Sequence, residues 1–377
     1  THRNEDYVIG SLDLAEHSGA DIYHGSALPF AYGNAVNEGD TFDIGNLRLR
    51  VLETPGHTFE SISLVVIDKN YGNDAVAVFT GDTLFVGDVG RTDFFPDRAE
   101  EVAGLLYDSI FEKILPLGDQ TIIHPAHGAG SVCGDKMASR EFSTLGHERR
   151  NNPVLQHKDR NQFINHKIAE EHNQPPYFRK MEEYNLNGPP SLPEPPRPRP
   201  LTPERTEQAV KNGAVILDLR SPEAFAGAFI PGSLAIPLDM IPAYAGYLLD
   251  YDHDLVLIPE TREQIPVAVT YLVRIGFDRV AGYLEGGMHA WEVSGRRYDR
   301  INALHAADLE KRLQREEAFT LLDVRKATEY RQACLAGATH IFLGDLQRTV
   351  RGICRNIGKK RILTTCFMFF NKISRLR

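Results

Sequence analysis

The sequence predicts an α/β protein of two or three domains, and three observations support this prediction. The chain has 377 residues, too many for one ordinary hydrophobic core. Its first half alternates apolar, strand-like runs with loops rich in His, Asp and Gly. Its second half contains the same strand followed by Asp-x-Arg twice, in "AVILDLR" and "FTLLDVR", about a hundred residues apart. Such a repeat indicates a duplicated small α/β unit.

Composition narrows the functional class. Hydrophobic residues make up 42% of the chain and charged residues 25%, as in soluble globular proteins, and no apolar run approaches the roughly 20 residues of a membrane span. The net charge of −9 argues against a nucleic-acid partner, because phosphates bind to basic surfaces. Four scattered Cys form no disulfide framework and favour a reducing compartment. We therefore expect a cytoplasmic protein with small-molecule partners, no membrane partner, and homo-oligomerisation left open.

The first predicted domain spans residues 1–187. Four residues with metal-binding side chains lie where its apolar runs begin or end: His2, His57 in "TPGHT", Asp82 in "FTGDT" and His127 in "PAHGAG". Loops at one edge of a sheet can bring such residues together. Two imidazoles and a carboxylate suit a divalent transition metal with open coordination positions.

A proline-rich stretch at residues 188–203 separates the two halves. Its prolines cannot join a helix or a central strand, so it predicts a semi-rigid linker. After it we expect an α/β domain at 204–297 and a partial second copy at 298–377. The partial copy ends in an aberrant tail, "FMFFNKISRLR".

Three motifs resemble those of the metallo-β-lactamase superfamily: "TPGHTFESISL", "FTGDTLFVGDVGRTDF" and "HPAHGAGSVCG". The match is closest to its persulfide dioxygenase branch, in bacterial proteins that fuse this domain to rhodanese domains. The resemblance implies an αββα sandwich that is N-terminally truncated, since the strand pair expected before Thr1 is absent from this sequence. Tandem rhodanese-like α/β domains would follow, the second incomplete.

The first seven residues help to distinguish a site for two metal ions from a site for one. The superfamily motif HxHxDH corresponds here to His2, Asn4, Asp6 and Tyr7, so two of its histidines are replaced. A glyoxalase II-like thioester hydrolase would use the full set to hold two metal ions. The ligands that remain by resemblance, His2, His57 and Asp82, form the two-His-one-carboxylate group of non-haem Fe(II) oxygenases.

The resemblance therefore implies a persulfide dioxygenase with one Fe(II) per chain, for which zinc could substitute. It would oxidise a low-molecular-weight thiol persulfide, such as glutathione persulfide, with O2 to sulfite and the thiol. Two alternatives stay open. One is a glyoxalase II-like metal-dependent hydrolase, and the other is a non-catalytic fragment.

Three residues beside the expected ligands have more than one interpretation. Asp6 either hydrogen-bonds a ligand or water, or caps a helix that begins near Val8. Arg91 either pairs with a substrate carboxylate or pairs with Asp93. His127 would be a second-site ligand in a dizinc relative, and here we expect it to contact a ligand or the substrate rather than bind the metal.

The second half resembles rhodanese domains in "VILDLRSPEAFAGAFIPGSLAIPL" and "GFDRVAGYLEGGMHAW". Active rhodaneses carry a nucleophilic Cys after a central strand, within a cradle of N–H donors. Here the strand "DLVLIP" continues into "ETREQI" without a Cys, and Cys366 in the second repeat lacks the Gly and Arg of a cradle. We therefore expect no rhodanese nucleophile. Cys133, near His127, is expected to fill a buried space more readily than to contact a persulfide.

Overall fold

The computed structural model describes residues 2–3, 6–129, 137–172, 174–302, 304–346 and 349, and the backbone of 362–365. Asn4, Cys133 and Cys366, on which predictions rest, lie outside the described residues. The chain divides into two compact units. One comprises Thr1–Pro195 with Val273–Gly276, and the other comprises Pro196–Leu272 with Phe277–Arg377.

The first unit contains a mixed β-sheet and helices. Its described elements, in chain order, are α1 (Ser11–Ser18), β1 (Tyr23–Gly25), β2 (Asn34–Val36), β3 (Thr41–Ile44), β4 (Leu47–Glu53), β5 (Ile62–Asp68), β6 (Ala75–Gly81), α2 (Ala99–Asp108), β7 (Ile122–Pro125), β8 (Ser143–Thr144), α3 (Leu145–Asn151), α4 (Arg160–Ile168) and α5 (Phe178–Asn187). The six-stranded sheet has the order β3-β4-β5-β6-β7-β8, and β1 pairs with β2 separately. Only β6 and β7 run parallel within the six-stranded sheet as described.

One face of this sheet forms the main core of the unit. Val65, Val78 and Ile123 lie beside one another on β5, β6 and β7, and all three are fully buried. Phe163 of α4 and Leu106 of α2 belong to the same buried cluster. Burying side chains of this size stabilises the fold by roughly 1.5–3 kcal/mol each. The core therefore fixes the strands whose ends carry the candidate site.

The strand directions explain why distant motifs meet. Strands β6 and β7 run parallel, so the loops after them leave the sheet at the same edge. Strand β5 is antiparallel to β6, so the loop that enters β5 lies at that edge too. His57 lies in the loop before β5, Asp82 directly follows β6, and His127 follows β7.

The second unit contains parallel sheets. Its described elements are β9 (Arg199–Leu201), α6 (Pro203–Lys211), β10 (Val215–Asp218), α7 (Pro222–Gly227), β11 (Leu234–Ala235), α8 (Ile241–Leu248), β12 (Leu255–Ile258), α9 (Gln264–Arg274), β13 (Val280–Leu284), α10 (Gly287–Val293), α11 (Ala306–Gln314), β14 (Thr320–Asp323), α12 (Ala327–Gln332), β15 (Thr339–His340) and β16 (Ile362–Thr365). A five-stranded sheet has the order β11-β10-β12-β13-β9, and a three-stranded sheet has the order β15-β14-β16. The α/β class predicted from the sequence is confirmed.

The repeated Asp-x-Arg signature is a buried ion pair. Nη2 of Arg220 lies 2.6 Å from Oδ2 of Asp218, and Nη2 of Arg325 lies 2.6 Å from Oδ2 of Asp323. Each of these two Arg side chains also donates to a backbone carbonyl eight residues further along the chain. The signature therefore closes the loop after β10 and the loop after β14, which is a structural role.

The end of the proline-rich stretch, which was predicted to be a linker, forms regular secondary structure. Arg199–Leu201 forms β9 at the edge of the five-stranded sheet, and Pro203 is the first residue of α6. Proline is tolerated at both places, because an edge strand and the first helical turn each have N–H groups without a partner in the element. Among the described helices, none is long and apolar enough to cross a membrane.

Candidate metal centre

Three residues predicted as ligands meet at one point in the first unit. Nε2 of His57 lies 3.4 Å from Oδ2 of Asp82, and Nε2 of His2 lies 3.7 Å from the same oxygen. One ligand atom of each residue lies within 4.8 Å of the other two. All three side chains are fully buried.

This group fits a metal ion. Two atoms that each lie about 2.1 Å from one ion are separated by roughly 3 to 4.2 Å, and the two distances to Asp82 fall in that range, whereas the full set is bounded only by 4.8 Å. Within the described part of the chain, His57 Nε2 and both carboxylate oxygens of Asp82 are buried without a hydrogen-bond partner. Burying such groups costs free energy unless a partner satisfies them. A bound cation would satisfy all three atoms.

The ring of His57 is fixed by its other nitrogen. Nδ1 of His57 lies 2.9 Å from the backbone carbonyl oxygen of Arg91. A carbonyl oxygen only accepts, so Nδ1 carries the proton and Nε2 is left with a lone pair for a metal. The loop after β6 therefore supplies both Asp82 and the group that orients His57.

Glycine is required where this loop folds back. A Cβ on Gly90 would lie 1.9 Å from the carbonyl oxygen of Asp82, which is closer than atoms can approach. Gly56, directly before His57, has φ +141, and a Cβ there would lie 2.4 Å from Cα of Leu106. The absence of side chains at these two positions lets the loops pack tightly enough to bury the ligands.

The site favours the protonation states that metal binding needs. Burial lowers the pKa of His57 to about 3, against the opposing effect of the Asp82 carboxylate. Burial alone would raise the pKa of Asp82, but the imidazoles of His127 and His2 hold it below its ordinary value. At neutral pH, His57 is therefore neutral and Asp82 is ionised, as ligands must be.

His127 lies beside the three candidate ligands. Its Nε2 lies 3.2 Å from Oδ2 of Asp82, and its Nδ1 lies 3.8 Å from Oδ1 of Asp6. The ring of Tyr7 lies 6.0 Å away, edge to face. His127 thus lies beside Asp82, and the expectation that it contacts a ligand or the substrate rather than binding the metal stays a prediction.

Asp6 does not cap a helix. Helix α1 begins at Ser11 rather than near Val8, and its N-cap is Gly10, which makes no side-chain capping bond. The other interpretation, that Asp6 hydrogen-bonds a ligand or water, stays a prediction, and Oδ1 of Asp6 lies 3.8 Å from Nδ1 of His127.

Arg91 is paired inside the protein. Its side chain is 1% exposed, and its Nε and Nη2 each donate to Asp93 over 2.6 Å. The guanidinium also lies over the ring of Phe94, 5.1 Å from its centre. Of the two interpretations of Arg91, the pairing with Asp93 is the one that the structure contains.

Two buried polar residues near the site were not identified from the sequence. Glu60 is 3% exposed and accepts the backbone N–H of Arg3 over 3.0 Å. Asn185 of α5 is fully buried and bonds to the backbone of the segment that carries His2. Glu60 lies in the "TPGHTFESISL" motif and could have been suspected, whereas no feature near Asn185 distinguishes it from the other polar residues of its helix.

The second unit has a cavity of about 420 Å³ where β10, β12 and β13 end. Its lining comprises Arg220, residues 259–262 and residues 283–289, and no Cys is among them. The guanidinium of Arg220 is engaged by Asp218. Cys334 is exposed and is the free cysteine that the described residues contain. The described residues thus show no thiol in the place where a rhodanese nucleophile is expected.

Comparison with known proteins places these features in a family. A model of the rhodanese-like domain matches residues 202–294. The hydroxyacylglutathione hydrolase GloC of Haemophilus influenzae is 30% identical over 182 residues, which cover 42% of this chain and 74% of that protein. The mitochondrial persulfide dioxygenase of Bos taurus is 34% identical over 120 residues, covering 32% of this chain and 40% of that protein.

A solved structure is similar to a larger share of this chain. The crystal structure of a metallo-β-lactamase from Staphylococcus aureus is 32% identical and covers 75% of this chain and 82% of its own, with a TM-score of 0.66. By contrast, the chain spans only 45–46% of the length of the uncharacterised mycobacterial relatives that it matches at 37–39% identity. The fold and the buried His and Asp residues define an α/β protein with a candidate metal site. The chain belongs to the metallo-β-lactamase superfamily and carries a rhodanese-like domain after that fold.

Proposed function

We propose that the chain is a non-haem Fe(II) persulfide dioxygenase. It oxidises a low-molecular-weight thiol persulfide, such as glutathione persulfide, with O2 to sulfite and the thiol. The observation that carries the proposal is the buried group of His2, His57 and Asp82, because two imidazoles and one carboxylate with open positions characterise ferrous oxygenases. The 34% identity to a persulfide dioxygenase supports it.

The reaction balances without a further reductant. The terminal sulfur of the persulfide loses four electrons as it becomes sulfite, and O2 accepts all four. Two oxygens of sulfite come from O2 and the third comes from water. The S–S bond breaks, and its electron pair leaves with the thiol sulfur, which takes a proton.

A bound ferrous ion would supply adjacent open positions for the persulfide sulfur and for O2, which turns an encounter in solution into a local reaction. The protein's own residues would orient a ligand, exclude bulk water and handle a proton. The carbonyl of Arg91 orients His57, and the burial of all three ligands keeps bulk water from the site. In this proposal His127, whose Nε2 lies 3.2 Å from Asp82 and whose Nδ1 lies 3.8 Å from Asp6, holds or passes the proton of the departing thiol.

A metal-dependent thioester hydrolase is the second candidate. The match to 74% of the Haemophilus hydrolase favours it. A dizinc site needs more ligands, however, and the last His of the motif is replaced by Tyr7, whose ring faces His127 at 6.0 Å. A phenol ring there supplies no imidazole for a second ion.

Metal analysis separates these functions. The protein is purified without added metal, and iron and zinc are measured per chain. The proposal predicts iron near one equivalent, retained by an Asp43→Ala control that removes an exposed carboxylate, and lost in Asp82→Ala. Zinc near two equivalents would favour the hydrolase, and no metal at all would indicate a non-catalytic fragment.

A further inference from the structure

The segment that carries His2 and Asp6 depends on the rest of the fold for its shape. Before Ser11, the described residues of this segment form no helix or strand. Backbone groups that secondary structure does not pair must find other partners when they are buried. The position of His2 therefore depends on side chains elsewhere in the unit.

Asn185 of α5 supplies several of these partners. Its Nδ2 donates to the carbonyl oxygens of Arg3, over 3.2 Å, and Tyr7, over 3.0 Å. Its Oδ1 accepts the backbone N–H of Ile9 over 2.9 Å. Both amide protons and one oxygen lone pair are thus used on a single short segment, and the side chain is fully buried. One of these three bonds is made to Arg3, the residue directly after His2.

Asn185 is itself held in place. Its backbone carbonyl accepts the hydroxyl of Tyr32 over 2.8 Å, and the next residue of α5, Leu186, accepts the N–H of Ala31 over 2.9 Å. At the other end of α5, the ring of Phe178 lies 5.8 Å from the guanidinium carbon of Arg91, the residue whose carbonyl orients His57. Helix α5 therefore contacts Arg3, the residue next to His2, and also Arg91, the residue that orients His57.

We infer that Asn185 is a positioning residue of the metal centre, which holds His2 in place through its bonds to the backbone of Arg3, Tyr7 and Ile9. The inference rests on the proposed function only in taking His2 as a ligand. Without the amide, the carbonyls of Arg3 and Tyr7 lose buried partners and the segment gains freedom. Metal binding must then order the segment again, so the affinity falls.

Cobalt binding tests this inference without any turnover. Co(II) is titrated into metal-free protein and its visible absorption gives the dissociation constant. Asn185→Ala should raise that constant by about 10- to 100-fold, the range found when partners of metal ligands are removed, and should approach His2→Ala. The matched control is Asn187→Ala, an exposed residue of the same type on the same helix, which should stay within about twofold of the parent.

The outcomes separate a positioning role from a structural one. If Asn185→Ala lowers the melting temperature but binds Co(II) as tightly as the parent, the inference is overturned. Should that variant fail to fold, Tyr32→Phe removes the hydroxyl that donates to the Asn185 carbonyl, and it should weaken Co(II) binding by about 3-fold. An unchanged constant in that variant would then overturn it.

The same titration distinguishes failure of the inference from failure of the site. If His2→Ala binds Co(II) more weakly than the parent but Asn185→Ala binds it equally tightly, Asn185 has no positioning role, and His2 stays a ligand of the metal centre. A His2→Ala variant that binds Co(II) like the parent removes His2 as a ligand, and both proposals fall together.

Discussion

Nδ1 of His57 donates to the backbone carbonyl of Arg91 over 2.9 Å, and the opposite nitrogen of the ring faces Asp82 at 3.4 Å. One loop thus supplies a candidate carboxylate ligand and also the acceptor that turns the imidazole of His57 toward it. The loop can do both because it turns back on itself at Gly90. The geometry of that turn is therefore the first feature to test.

Gly90→Ala should empty the metal centre. The new methyl group would lie 1.9 Å from the Asp82 carbonyl, so the loop must move and carry Asp82 and Arg91 with it. We expect iron content to fall to roughly a tenth of the parent value, as for the loss of a group that orients a ligand. Gly128→Ala, beside His127, is the control, since a Cβ there meets no described atom within 4 Å. Equal iron in the two variants would contradict this prediction.

The stability of the metal-free protein should fall on acidification. Folded His57 takes up a proton only near pH 3, because burial lowers its pKa, whereas the unfolded residue does so near 6.5. Between these values the unfolded chain binds more protons, so lower pH favours unfolding, by an amount on the order of a few kcal/mol. Asp82, whose pKa is also lowered, adds to the loss below about pH 4.

Melting temperatures of the metal-free protein from pH 7 to pH 4 check this prediction. The slope should be shallower in His57→Gln, since glutamine does not titrate. His253→Gln, which replaces an exposed His, should keep the parent slope. A parent protein whose melting temperature is flat over this range would show that His57 is not buried in the neutral form.

Asp93→Asn should damage stability rather than substrate binding. Arg91 is 1% exposed and both its donors to Asp93 lie at 2.6 Å, so the substitution leaves a buried guanidinium with a weaker partner. We expect a loss of roughly 2–3 kcal/mol in the free energy of unfolding. The KM for persulfide should change by less than about twofold, because the Arg91 side chain is engaged inside the protein. A large rise in KM with unchanged stability would restore Arg91 as a substrate contact.

The rhodanese-like part should transfer no sulfur. The cavity at the ends of β10, β12 and β13 is lined without a Cys, and a thiolate nucleophile needs a cradle of N–H donors. Thiosulfate-to-cyanide transfer should therefore stay at the background rate in the parent, and Cys366→Ser should leave oxygen uptake with persulfide unchanged. A transfer activity that disappears only in Cys366→Ser would show a working nucleophile in the second repeat.

The sequence predicted the elements of the site whose position follows from strand order. Asp82 directly follows the apolar strand β6, His57 lies in the loop that enters β5, and loops next to strands of one sheet gather at shared edges. The sequence could not predict contacts between residues that only the folded chain brings together. The choice between the two interpretations of Arg91 depended on which group reached the guanidinium in the folded chain.

Asn185 and the proline-rich stretch illustrate the same limit. A polar residue in a helix has no local signal that it will be buried, and the three backbone groups that the Asn185 side chain bonds lie more than 170 residues away. The prolines near residue 200 excluded a central strand, but the edge strand β9 and the first turn of α6 accept them.

The most direct test is the stoichiometry of oxygen uptake. Iron-loaded protein is mixed with glutathione persulfide, and O2 consumption and sulfite formation are measured together, with Asp82→Ala as the inactive reference. We expect one sulfite formed for each O2 consumed, and neither in Asp82→Ala, where two imidazoles alone would have to hold the ion. Hydrolysis of a glutathione thioester at an enzyme-like rate, without O2 uptake from persulfide, would contradict it.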